Sequence, residues 1–218
     1  MTRHLILGLL ISGWAIRACA QPGFVSQDVS KTYSVFDANG KAFVNPSPDV
    51  AGSPFFIDDW KIGALVANSN HRFDSVKIRL NLFSQEVHFM DKNKNEMALA
   101  KGYIKAIMLP NPITGALTGP KFQNGFPAVD EQDTYNFYEV LAEGKLWLLL
   151  SIRKVIAKEK DEMSGEVKKE YRAYEDYYIF DGKTMQRVKK GSALIDGKPV
   201  KYKNIDDLKR AVDQYNAL

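Results

Sequence analysis

Cysteine is almost missing from this chain. Cys19 is the single cysteine in 218 residues. It falls within the first twenty, so a chain trimmed there would hold no thiol. That excludes an internal disulfide, a thiolate nucleophile and a cysteine-ligated metal from the remaining body. Histidine is nearly as scarce: only His71 and His88 stand beyond residue 20. Neither belongs to a ligand-spaced motif, so both are expected at the surface and no metal site is expected. The sequence also lacks any Asn-x-Ser/Thr acceptor. Charge of one sign is missing too, since 30 Lys and Arg face 26 Asp and Glu. So small an excess gives no broad nucleic-acid footprint. Lys168 to Tyr178 interleaves aromatic and basic residues, but Glu170, Glu175 and Asp176 cancel its charge. A nucleic-acid partner is therefore not expected.

Long apolar runs are absent except at the start. Arg3 and His4 precede an apolar stretch from Leu5 to Ile16, and Ala18-Cys19-Ala20 follows. A charged start, a short greasy core and a small-residue end make a secretory signal peptide over 1–20, cut between Ala20 and Gln21. The run is too short for a comfortable transmembrane helix. A buried helix fits poorly, because Ser12, Gly13 and Trp14 break any helical stripe. Acylation of Cys19 as a lipid anchor is the alternative to plain cleavage; Ala18 suits it and Arg17 does not. Cleavage would lower the formal charge from +4 to +2. The protein is expected to be exported: periplasmic, outer-membrane associated or secreted. No second apolar run could span a membrane, so no transmembrane span is expected in the mature chain.

What the remainder does have is alternation. Residues 21–54 are rich in Gly, Pro, Ser, Asn and Asp and read as an extended arm, with an edge strand near Phe43-Val44. Residues 55–218 read as a β domain. Val76, Ile78, Leu80 and Leu82 alternate with Ser75, Lys77, Arg79 and Asn81, which puts aliphatic side chains on one face of a strand. Further strands are expected at 61–67, 86–90, 97–100, 103–109, 135–142, 146–156, 171–180 and 184–188. Asn68-Ser69-Asn70, Asp91 to Asn95 and Glu143-Gly144-Lys145 supply turns. Asp181-Gly182 signals a type I′ hairpin. In the 146–156 strand, Leu146, Leu148, Leu150 and Ile152 share a face while Trp147 and Leu149 take the other. That strand should be central and covered on both sides. Residues 110–134, with Gly115, Gly119, Gly125 and four prolines, read as a long connection, and the charged 158–169 stretch as an exposed hairpin tip. Two lobes, 55–110 and 135–203, could share one core. Asn204 caps a short helix over 204–216, with Leu208, Val212 and Tyr215 on its apolar face. The expected fold is mainly β: an antiparallel meander of nine or ten strands, barrel or sandwich, with a C-terminal helix.

Chemistry-bearing motifs fail one by one. Gly182-Lys183-Thr184 resembles the end of a phosphate loop, but the glycine needed five positions earlier is Tyr177. Asp130-Glu131-Gln132-Asp133 lacks the spacing and central glycine of a calcium loop and reads as a solvated loop. Asp58 and Asp59 are adjacent and would diverge on a strand; a turn before Trp60 explains them. No Gly-x-Ser-x-Gly elbow exists. No catalytic residue and no cofactor is implied.

Several phrases carry a family resemblance. They are Gly52 to Trp60 with Gly63, Leu80 to Val87, Asn124-Gly125-Phe126-Pro127, Phe137 to Leu141 with Gly144-Lys145, and Tyr177-Tyr178-Ile179. Together they resemble a group of exported, β-rich, functionally uncharacterised proteins of Bacteroidetes-type bacteria. The resemblance spans residues 50–218 and implies a Gram-negative envelope setting. It implies no activity and no site residues.

These readings favour a non-enzymatic interaction or structural module of the cell envelope, whose partner adds a strand to an exposed sheet edge. The alternative is a carrier of a small apolar or glycan-like ligand, with Tyr135, Phe137, Trp147, Tyr178 and Phe180 lining a cavity. A hydrolase with an unrecognised site ranks third.

Overall fold

The computed structural model describes residues 49–160, 162–163 and 165–218. The leader, the Ala20-Gln21 junction, Cys19 and arm residues 21–48 lie outside them. The described chain is mainly β. Ten strands form one antiparallel sheet: β1 (Lys61–Ala67), β2 (Arg72–Asn81), β3 (Glu86–Met90), β4 (Glu96–Ala98), β5 (Ile104–Met108), β6 (Lys121–Gln123), β7 (Tyr138–Ala142), β8 (Trp147–Lys160), β9 (Val167–Phe180) and β10 (Met185–Arg187). A second sheet pairs β11 (Ser192–Ile195) with β12 (Lys198–Lys201), and helix α1 (Ile205–Ala217) ends the chain.

Strand order in the large sheet is β10-β9-β8-β7-β6-β5-β1-β2-β3-β4. Two meanders are thus joined by one return, in which β5 leaves the β4 edge and pairs with β1. Only residues 99–103 make that return, and they include a turn from Ala100 to Tyr103. Strands lie about 4.8 Å apart, so a flat sheet would put β4 roughly 19 Å from β5. A link of that size containing a turn closes the gap only if the sheet curls. The curl brings the β2–β3 turn onto β8, where Lys154 N donates to Leu82 O at 3.1 Å. Buried Gln85 staples the seam: its Nε2 donates to Leu82 O at 2.9 Å and its Oε1 accepts from Phe137 N at 2.9 Å. The ladder still ends at β4 and β10, so the sheet does not close into a barrel.

Three apolar clusters follow from strand alternation. The largest fills the curl with Leu65, Phe73, Ile78, Leu80, Phe89, Ile107, Phe122, Phe137, Leu150 and Ile152. A second holds α1 and the β11–β12 hairpin against the sheet through Leu148, Ile179, Ile195, Leu208 and Val212. The third, on the opposite face, joins Phe126, Tyr138, Leu149, Tyr178 and Met185. β8 feeds all three, as its near-continuous apolarity implies. Each fully buried aliphatic side chain stabilises by roughly 1.5–3 kcal/mol. Gly63 is required where β1 passes β5: a Cβ there would lie 2.6 Å from Met108 O.

Several sequence expectations need correction. The 110–134 connection is interrupted by β6, which joins β5 to β7 and carries one sheet through both proposed lobes. The exposed hairpin tip is shorter than the 158–169 stretch, because β8 and β9 stay paired out to Lys160 and Val167. β11 and β12 were not expected at all. The type I′ turn needs positive φ at both central residues. At Asp181–Thr184 only Gly182 has it, at +89°, and the Asp181 carboxylate closes the turn by accepting from Lys183 N and Thr184 N. Both conditions are met instead at Asp196 (φ 52°) and Gly197 (φ 71°) between β11 and β12. The helix is as expected: Asn204 Oδ1 caps Asp207 N at 2.9 Å, and Leu208 and Val212 are buried.

Candidate functional site

The five aromatic candidates are divided among three places. Trp147, Tyr178 and Phe180 come together on one face, since Trp147 pairs with Phe180 in register and Leu149 with Tyr178. Phe126 fills the space between them, its ring centroid 5.7 Å from Trp147 and 5.4 Å from Phe180. Phe137 points into the curl instead, inside the largest cluster. Tyr135 is exposed on the loop before β7 and covers Gly102. Alternation along a strand over 135–142 would have put Tyr135 and Phe137 on one face; β7 begins only at Tyr138, so both lie on the loop before it.

Two polar networks brace the sheet. On the outer face of β2–β4, Arg79 holds Glu96 through Nε at 3.2 Å and Nη2 at 2.6 Å. His88 Nδ1 lies 2.6 Å from the same carboxylate. The Arg79 guanidinium is also sandwiched against Phe55 (3.6 Å) and Trp60 (4.5 Å), and it donates to Asp58 O. His88 is therefore fully buried, against the surface placement expected of it. Register explains this, since Arg79 is opposite His88 and Glu96 is opposite Met90 on the same face. Partial burial alone would raise the Glu96 carboxyl, but bonds from His88 and Arg79 hold it below its ordinary 4.5.

The second network lies under the 129–136 loop. Ser151 Oγ donates to Gln132 Oε1 at 2.8 Å, Gln132 Nε2 donates to Tyr178 Oη at 2.9 Å, and Tyr178 Oη donates to Asp130 Oδ2 at 2.7 Å. The loop is thus partly buried rather than wholly solvated. Burial, helped by Asp130, pushes both the Tyr178 and Tyr138 hydroxyls upward and keeps them protonated. On the other face, burial and the nearby Glu175 raise the Glu139 carboxyl. Ser151 and His88 are thus committed to structural partners, Gln132 and Glu96, in different networks.

An open groove lies where β10 leads into β11. Lys189 and Ser192 close a tight bridge, and from there the two strands splay instead of continuing as a hairpin. The gap is a groove of about 390 Å³ lined by Ile179, Gln186, Arg187, Val188, Ser192 and Leu194. Its walls have a specific hydrogen-bonding character. Val188 N donates to Tyr177 O and Asp181 N to Thr184 O, so main-chain groups of Met185 and Arg187 face away from β9. Across the gap, Ser192 N turns toward Lys189 O while Tyr202 N reaches Gly191 O. Leu194 therefore directs its main-chain groups away from β12, toward β10. Two strand edges face each other over an apolar floor. Sequence reading missed this because β11 and β12 were missed. The usable signal was Asp196-Gly197 set between Ala193, Ile195 and Val200, the same type of hairpin signal as Asp181-Gly182.

Searches with this chain match no family model, no curated protein and no solved structure. Among the described residues no helix is long and apolar enough to cross a membrane.

Proposed function

We propose that this protein is an exported component of the cell envelope that works without catalysis, as an interaction module. The partner docks by laying an extended segment into the gap between β10 and β11. The observation that carries this reading is the pair of facing strand edges at Arg187 and Leu194. Extended segments add to such edges through main-chain hydrogen bonds, with side-chain pockets adding selectivity. The exported setting rests on residues 1–20 and on the envelope-protein resemblance. The carrier alternative has less support, because Trp147, Tyr178 and Phe180 pack against Phe126 and Phe137 is core.

A photo-crosslinking residue placed at Leu194 in the native host tests the docking. A discrete adduct at Leu194, absent at the more exposed Ile113, is expected. Equal labelling at both positions would refute it. Intact mass of the protein recovered from the host envelope tests export: a chain beginning at Gln21 is expected, and retention of Met1 would refute it.

A further inference from the structure

We infer that the segment received by the β10–β11 groove is acidic. This rests on the docking reading above and adds the chemistry of the partner. The argument begins with where the positive charge is. Between Gly182 and Lys203 stand Lys183, Arg187, Lys189, Lys190, Lys198, Lys201 and Lys203, against the single acid Asp196. The whole chain has 30 basic and 26 acidic residues, so everything outside this stretch is net acidic. All seven cations are exposed. Arg187 is tied to Asp176; the other six form no ion pair among the described residues. β10, the 189–192 turn and the β11–β12 hairpin, which bound the groove, therefore carry a net positive charge, and Lys189 and Arg187 stand in the groove wall itself.

The groove shows two layers of selection. Main-chain groups at Met185, Arg187 and Leu194 accept any extended backbone. Lys189 in the wall and the lysines of the bounding elements then discriminate by charge. Lysines beside an open edge discourage neutral and basic strands from pairing there, which is a common defence against aggregation. The same field attracts a strand bearing Asp or Glu and speeds its encounter. A partner segment with carboxylates on its solvent face and small apolar residues over Ile179 fits both layers. An anionic lipid surface would satisfy the charge but not the facing edges.

Selection of a random library of peptides of about ten residues, a typical strand length, on the mature protein tests this. Enriched peptides should carry more Asp and Glu than Lys and Arg. They should slow amide exchange at Arg187 and Leu194. Their affinity should fall about tenfold or more when salt rises from about 0.1 M to about 1 M, which shortens the screening length from roughly 10 Å to 3 Å. The double variant Lys189→Glu/Lys190→Glu should weaken them by about tenfold with an unchanged melting profile. Enrichment of neutral or basic peptides that still protect Arg187 and Leu194 would overturn the charge inference and leave strand docking standing. Peptides that leave both amides unprotected would overturn strand docking itself. Full protection before any peptide is added would mean that the chain's own segment or a second copy fills the groove, and would overturn the inference. So would binding of phosphatidylglycerol vesicles by a protein that ignores every acidic peptide.

Discussion

The two ends of the ten-stranded sheet are finished in different ways. At one end β4 is only Glu96–Ala98, and its first residue is held by His88 and by the fork of Arg79, which itself packs against Phe55 and Trp60. At the other end β10 is equally short, yet it faces a second strand across an open groove with Arg187 and Lys189 in its wall. A short edge strand with an inward-pointing charge is one way to forbid further pairing. A gap flanked by cations forbids only some partners. The first end is closed by its own bonds, and the second is the end at which we propose selective contact.

The largest effect that could break this comparison is expected at the closed end. Arg79→Met leaves Glu96 with only His88 and should cost about 3 kcal/mol, read as a lower denaturant midpoint. A loss below about 0.5 kcal/mol would show that the fork is ornamental. Tyr178→Phe, on the strand that supports β10, removes the link between Gln132 and Asp130. It should cost about 1–2 kcal/mol by the same measurement. Asn204→Ala removes the cap of the helix that backs β11 and should cost about 1 kcal/mol. The pH dependence follows Glu96. Its carboxyl is lowered in the folded state, so its contribution is complete above the ordinary 4.5 and is lost as pH falls through the lowered value. A pH series of unfolding midpoints should show this loss in the parent and much less of it in Glu96→Gln. Smallest of all, Lys189→Glu/Lys190→Glu should leave stability within about 0.5 kcal/mol, because exposed charges contribute little. A large loss there would mean that the lysines hold the fold rather than select a partner.

Much of the architecture was readable in particular residues. The alternation from Val76 to Leu82, the two-sided apolarity of Leu146 to Ile152 and the Asn204 cap each encode a local periodicity or a local bond. β6 was not readable, because Lys121-Phe122-Gln123 has one apolar residue and depends on β5 and β7 for its pairing. The contact of His88 with Glu96 was hidden for the same reason: Glu96 is eight residues away and joins it only through strand register.

The candidate groove sits between these extremes. Its lysines and its Asp196-Gly197 turn are in plain view. The splay that leaves Arg187 facing Leu194 is a matter of how the hairpin packs on α1 and Ile179. Sequence by itself determined the β character, the terminal helix and the charge imbalance, since each depends on neighbours a few residues apart. Tertiary structure alone decided the curl, the return of β5 to β1, the burial of His88 and the opening between β10 and β11. Those depend on contacts between distant segments, whose pairing is set by the whole apolar surface that must be covered at once.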